Sequence, residues 1–279
     1  MAFSVLMSVY NGEEPDYLEQ ALKSIASQTL QASQVVLVED GPLNKDLKRV
    51  IESFRDYLPI FSLSLPHNVG LASALNHGLD VCTEELIFRA DSDDVNLSHR
   101  FQTQMEFFKR NPEIDVLGGQ INSFDVSPDS IISSRKMPFE ERDIRKFAKF
   151  FSPMNHPSVA FKKTVVKSVG GYPNIRTNQD QALWALLLTR GFKLHNLDNV
   201  LVLMRVDSRF MDRRLKNRFK NELAMLRFQF DIGFIGIRIF ILMSFLRWSS
   251  RLLPKKVFEI VYKAVRIVLN TYSLKRTKK

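Results

Sequence analysis

The chain of 279 residues is 45% hydrophobic, enough for one large α/β domain with a buried core and appendages. Cys82 is its single cysteine, which excludes an intrachain disulfide and a thiolate zinc site and suits a reducing compartment. The formal charge of +10 is unevenly placed: residues 1–204 hold 21 Lys+Arg against 25 Asp+Glu, whereas residues 205–279 hold 19 against 5, so an anionic partner is expected at the last quarter of the chain.

The first Lys or Arg is Lys23, and Ser4–Tyr10 reads as a core strand instead of a cleavable signal, so the chain is expected to stay in the cytoplasm. The runs Ser4–Tyr10, Val35–Asp40, Ile60–Leu65 and Leu86–Ala90 are short and rich in β-branched or aromatic residues, as buried parallel strands are. Between them Pro15 opens a helix with Leu18, Leu22, Ile25 and Thr29 at helical spacing, and a second helix is expected over Leu71–Val81. Strand, helix, strand in repetition predicts a doubly wound α/β sheet whose ligands lie beyond the carboxyl ends of its strands. Asn11, Asp40 and the acidic run Asp91-Ser92-Asp93-Asp94 stand at those ends. Any one of them alone is explained as a turn former or helix cap. Three strands ending in this way point to a site.

None of the eleven glycines is spaced as G-x-G and no G-x-x-x-x-G-K-[ST] loop occurs, so the dinucleotide fingerprint and the P-loop are both missing. Asp91-Ser92-Asp93 offers another way to hold phosphates, because Mg²⁺ or Mn²⁺ binds through one or two carboxylates and completes its shell with diphosphate oxygens. The D-x-D pattern is weak by itself and gains force from its position.

The segments Ser4-Val-Leu-Met-Ser-Val-Tyr-Asn11, Val38-Glu-Asp-Gly41, Asn68-Val-Gly-Leu-Ala-Ser-Ala-Leu-Asn76 and Arg89-Ala-Asp-Ser-Asp-Asp94 resemble, in order and spacing, the motifs of family 2 glycosyltransferases with a GT-A fold. His156-Pro-Ser-Val, Gly170-Gly-Tyr172, Gln179-Asp180 with Trp184, Gly191 and Arg205 resemble the acceptor half of that family. The resemblance covers about residues 3–206. It implies a GT-A domain over 1–206, with a nucleotide-sugar-binding half (1–95) and an acceptor half (96–206). Residues 207–279 are expected to form a basic, helical, membrane-associating tail.

Carried over residue by residue, the resemblance implies that Val9, Tyr10 and Asn11 with Asp40 hold the uracil and ribose of a UDP-sugar, Asp40 reading the base. Asn68, Gly70 and Asn76 would join the nucleotide-sugar site, with Asp91 and Ser92. Asp93 would ligate Mn²⁺ or Mg²⁺ through the diphosphate, Asp94 would support the loop, and Asp180 would be the general base. Two departures from the family pattern are Leu75, where many relatives carry a basic residue, and Gln179, which replaces the first acid of a Glu-Asp pair.

Several of these residues have a plainer reading. From local sequence, Asp180 reads as the N-cap of a helix over Gln181–Arg190. His156 is either an acceptor or diphosphate contact or a structural histidine. Trp184 either floors the acceptor site against a sugar face or, beside Leu183, Leu187 and Leu188, belongs to the core. Arg100, on the helix after the acidic run, reads as an anchor of that loop more than as a substrate contact.

Residues 255–270 form an amphipathic pattern in which Lys255, Lys256, Lys263 and Arg266 share a narrow polar stripe on a wide apolar helix, suited to an anionic membrane surface. The alternative is a helical appendage packed on the catalytic domain or a second subunit; nucleic-acid binding ranks last, since no module for it accompanies the charge. Ile232–Leu246 is apolar, but Arg238 interrupts it and it is shorter than a spanning helix.

A soluble catalytic domain with a membrane-adsorbed tail suits an undecaprenyl-diphosphate-linked saccharide acceptor and the building of O-antigen or exopolysaccharide repeat units. Ser244-Phe-Leu-Arg-Trp248 lacks the Gln of the Q-x-x-R-W motif of processive synthases. For the donor sugar, the habit of the family favours glucose or galactose and a β linkage. Two rivals are a sugar-nucleotide pyrophosphorylase, which would need a basic Gly-rich N-terminal loop that Met7–Pro15 lacks, and a non-catalytic scaffold or lipid-binding module. The sequence leaves the oligomeric state open.

Overall fold

A computed structural model describes residues 1–175, 177–206 and 218–249. In chain order the elements are β1 (Phe3–Val9), α1 (Pro15–Ala26), β2 (Gln34–Glu39), α2 (Lys45–Ser53), β3 (Ile60–Ser64), α3 (Leu71–Val81), β4 (Leu86–Asp91), β5 (Val95–Asn96), α4 (Arg100–Arg110), β6 (Val116–Phe124) and β7 (Ile131–Arg135). They continue with α5 (Glu141–Ala148), a 3₁₀ turn at His156–Ser158, β8 (Ala160–Lys162), α6 (Lys163–Ser168), α7 (Gln179–Thr189), β9 (Leu194–Arg205), α8 (Arg218–Asp231) and α9 (Ile237–Ser249).

The strands order as β3-β2-β1-β4-β8-β6-β9-β5, with β7 paired to β6. Pairing is parallel from β3 to β4, while β8 runs antiparallel to both β4 and β6. Because the central strands are covered on both faces, alternate residues feed two cores. Leu6, Val36, Val38 and Ile87 face α3 and α7; Val5, Met7, Val35, Leu37 and Phe88 face α1, α2 and α4. In this register Val9 lies opposite Glu39 and Ser8 opposite Asp91, so β1, β2 and β4 end at one edge. The chain lays β2 and β3 on one side of β1 and returns to lay β4 on the other, which opens a crevice at that edge.

The four expected strands and the helix Leu71–Val81 are present. The first helix stops at Ala26, short of Thr29, whose N–H and hydroxyl both donate to the Ser98 carbonyl, at 2.9 and 3.2 Å. α2 was not anticipated. Only Leu47 and Ile51 are buried on it, and Asn44 caps it by accepting from the N–H groups of Asp46 and Leu47.

Beyond residue 206 the described part of the tail packs onto the acceptor half, as the appendage reading of the sequence allowed. Met225, Leu226, Phe234, Ile235 and Met243, from α8, α9 and the turn between them, belong to the same core cluster as Ile144 and Ala148 of α5 and Leu183, Trp184 and Leu187 of α7. Gln229 Nε2 donates to the Ala148 carbonyl at 2.9 Å. Among the described residues no helix is long and apolar enough to cross a membrane. The amphipathic pattern at 255–270 lies outside the described residues.

α3 reaches the sheet closely through Gly78, where a Cβ would collide with Leu6 Cδ1 and Val38 Cγ2. Gly78→Ala is expected to destabilise the fold by about 1–3 kcal/mol through overpacking, read as a lowered urea midpoint with an unchanged m-value.

Candidate active site

The carboxyl edge is organised first around Asp40. Its carboxylate accepts from the N–H of Val69 at 2.7 Å and of Gly70 at 3.1 Å, and Asn68 Nδ2 donates to its carbonyl at 3.2 Å. Gly70, at φ 86°, then turns the chain into α3. Asn11 accepts from Asn44 N–H at 2.8 Å, tying the loop after β1 to the start of α2. Val9 is fully buried, leaving its backbone as the part that can face the crevice, whereas the Tyr10 side chain is exposed.

The Asn76 amide donates to the Tyr172 carbonyl at 2.9 Å and accepts from the Tyr172 N–H at 2.7 Å, so both of its polar ends clamp the acceptor half. Asn76 was expected in the nucleotide-sugar site; its side-chain amide is engaged with Tyr172.

At the end of β4, single oxygens of Asp91, Asp93 and Asp94 lie within 4.8 Å of one another. Arg89 Nη2 forms a close ion pair with Asp91 Oδ1. Burial alone would make the Arg89 guanidinium less basic; Asp91, Tyr172 and Asp94 outweigh it and hold it charged. Ser92 donates to Glu13 Oε2 at 2.7 Å. Asp94 is 2% exposed; its Oδ1 accepts from the Arg205 N–H at 2.8 Å, while its buried Oδ2 has no hydrogen-bond partner among the described residues. Burial, followed by the charges of Asp93 and Asp91, pushes the Asp94 carboxyl well above the usual range. An unsatisfied buried carboxylate oxygen beside two further acids is a hard-oxygen donor set, and Mn²⁺ or Mg²⁺ fits it chemically.

Two arginines brace this loop. Arg205, the last residue of β9, donates from Nε to the Asp93 carbonyl, from Nη1 to the Asp125 carbonyl and from Nη2 to Gln20, at 2.9–3.2 Å, and its guanidinium lies over the Tyr17 and Phe124 rings. Arg100 is fully buried and donates to Asn96, Gln104 and the carbonyls of Arg89 and Val159. Burial, with Arg89 nearby, lowers its basicity to about 9. Its donors are spent on protein, so it anchors the loop and does not contact substrate.

Asp180 lies in the first turn of α7, half-buried, and accepts from Ser152 Oγ at 3.0 Å. It is not the helix cap: α7 begins at Gln179, also half-buried, and the cap position is Asn178, in the left-handed region at φ 62°. Trp184 is fully buried in the core shared by α7, α5 and α8, with its ring 6.1 Å from that of His156, so it cannot stack on a sugar. His156 Nε2 sits 3.1 Å from the Tyr172 hydroxyl, and burial, reinforced by Arg89, pushes its pKa well below 6.5. From this buried position, which disfavours its charged form, it supports the residue gripped by Asn76. Burial also raises the Tyr172 hydroxyl, which feels the charges of Arg89, Asp180 and Asp91. The base candidate and the acidic loop therefore flank one buried seam. The roles of Arg89, Glu13, Ser152 and Tyr172 were not read from sequence; only the motifs containing Arg89 and Tyr172 hinted at them.

The family model described as "Glycosyl transferase family 2" matches residues 4–169. The chain belongs to glycosyl transferase family 2. It is 35% identical over 268 residues to the amylovoran biosynthesis glycosyltransferase AmsE of Erwinia amylovora, covering 95% of this chain and 99% of AmsE. It is 36% identical over 268 residues to the UDP-Gal:alpha-D-GlcNAc-diphosphoundecaprenol beta-1,3-galactosyltransferase of Escherichia coli, covering 94% and 96% of the two chains. Among solved structures, S. aureus TarS 1–349 in complex with UDP-GlcNAc superposes with a TM-score of 0.64 at 18% identity, over 82% of this chain and 66% of TarS 1–349. This chain thus spans less than two thirds of that solved chain, and the likeness is one of fold, GT-A.

Replacing Arg205 with Lys keeps the charge but loses the planar fork, and is expected to cost about 2 kcal/mol in urea unfolding. The depressed His156 also sets a pH dependence. Below pH 6.5 the unfolded chain takes up a proton that the folded chain refuses, so stability falls as pH drops through that value, with a limiting slope of about 1.4 kcal/mol per pH unit. Unfolding free energies at pH 7.5 and 5.5 should differ more in wild type than in His156→Gln.

Proposed function

We propose that this glycosyltransferase moves a hexose, glucose or galactose, from a UDP-sugar to an undecaprenyl-diphosphate-linked saccharide with inversion, forming a β linkage in O-antigen or exopolysaccharide repeat-unit assembly. The observation that carries the reading is the acidic cluster at the end of β4, with the unsatisfied oxygen of Asp94, placed at the carboxyl edge of the parallel strands. The names of the E. coli and E. amylovora relatives support the acceptor and the pathway class. The UDP-GlcNAc complex of the TarS neighbour supports the donor class.

In this reading the backbone of Val9, with Tyr10, Asn11 and Asp40, holds uridine, and Asn68 and Gly70 shape that pocket through Asp40. Asp91 and Ser92 would face the nucleotide, Asp93 would hold the ion, and Asp94 would support the loop. The divalent ion, Mn²⁺ or Mg²⁺, would neutralise charge developing on the departing diphosphate. Asp180, aimed by Ser152, accepts the proton of the acceptor hydroxyl as that oxygen bonds to the anomeric carbon. The bond from that carbon to the diphosphate breaks on the opposite face, through a transition state of oxocarbenium character. No covalent enzyme intermediate forms. The basic segment 255–270 adsorbs to the inner face of the cytoplasmic membrane, where the acceptor lies.

The test is transfer from a panel of UDP-sugars, with Mn²⁺ and a lipid-diphosphate GlcNAc acceptor. One sugar should be transferred. Asp180→Asn should lower kcat by about 10²–10⁴-fold while UDP binding persists, and Asp93→Asn should abolish the ion-dependent part of donor binding. If no UDP-sugar binds or reacts, the reading fails in favour of a non-catalytic scaffold.

A further inference from the structure

α9 is apolar on both sides. Its inner side, with Met243 and the partly buried Ile239 and Phe240, packs on the core next to α8, and Phe240 meets Phe230 with ring centroids 5.2 Å apart. On its outer side Ile237, Ile241, Leu242, Phe245 and Leu246 are 49–60% exposed. Ile237, Ile241 and Leu242 share one face of the helix with the exposed Arg238 among them, so that face is a contiguous apolar patch carrying one cation.

We infer that this outer face of α9 is a membrane-contact surface that lies flat in the interface of an anionic bilayer. Three observations choose that occupant. α9 contains no Asp or Glu, and residues 250–279 after it hold nine Lys+Arg against Glu259 alone. Arg238 on the face and the basic composition of the residues that follow make a second copy a like-charged partner, whereas anionic headgroups complement both. Among the described residues no helix is long and apolar enough to cross a membrane, and α9 is packed on the core by its inner side, so only its outer side is left to meet a bilayer. The face is also fixed relative to the chemistry, because α9 packs on α8 and α8 on α7, whose first turn holds Asp180. Adsorption through α9 therefore holds Asp180 at a fixed place relative to the bilayer that carries a lipid-borne substrate. That last step rests on the lipid-linked acceptor proposed above; the surface itself does not.

The experiment floats the full chain with vesicles rich in phosphatidylglycerol or made of phosphatidylcholine alone, comparing wild type with Ile241→Ser/Leu242→Asn and Ile237→Glu/Ile241→Glu. Wild type should partition onto the anionic vesicles, and both variants should lose about ten-fold or more of that partition with unchanged melting temperatures. Transfer to an acceptor embedded in vesicles should fall by a similar factor, and transfer to a short-chain water-soluble analogue should not change. Partition of the variants equal to wild type overturns the inference. So does a wild-type dimer in light scattering that these substitutions dissociate, since the face is then an interface between copies. Loss of partition in variants of a protein that transfers no sugar to any acceptor leaves the surface standing and removes the acceptor reading.

Discussion

Three carboxylates crowded at the end of one strand are the constraint around which the molecule is arranged. Asp91, Asp93 and Asp94 repel one another, and Asp94 does so from a buried position where charge is poorly solvated. The fold opposes that repulsion with arginines that come from different parts of the chain. Arg89 pairs with Asp91 from within the same strand, and Arg205 reaches in from the far end of β9. Arg100 holds the backbone beneath them. The extended reach of β9 follows from this need, since its last residue must arrive beside a loop more than a hundred positions earlier.

A second arrangement grows from the sheet. Both faces of the parallel strands are covered, so the strand ends are the place where polar groups can gather without being sealed. There Asp40 spends both carboxylate oxygens on the backbone of Val69 and Gly70, fixing the loop that leads into α3. The seam on the other side is made of Asn76, Tyr172, His156 and Trp184, which pass from a hydrogen-bonded clamp into a dry core.

The parallel strands, α3 and the acidic loop were legible in the sequence because their signals are local: short β-branched runs, a helical period and acids at strand ends. Family resemblance added Asp180, a residue whose local sequence suggested a cap. α2 escaped because it is strongly polar, with its cap the main mark of its start. The partners of Trp184 and Asn76 were not legible for a common reason. Whether a side chain faces a crevice or a neighbour depends on long-range packing, and both sit where α3 and α7 come together. The division at residue 206 rested on where the family resemblance ends and on charge, and neither shows the apolar side of α8 and α9 that docks on α5 and α7.

The clamp between Asn76 and Tyr172 joins two stretches 96 positions apart, and the cluster around it draws Ala72, Leu75 and Leu79 of α3 together with Leu183 and Leu187 of α7. A nucleotide module ending near residue 95 would leave that apolar side of α3 bare, so the two halves share one core. Recombination among relatives that exchanged acceptor halves would have to carry α3 along with them. Diversity in what such enzymes accept is accordingly easier to reach by altering loops at the rim than by shuffling halves.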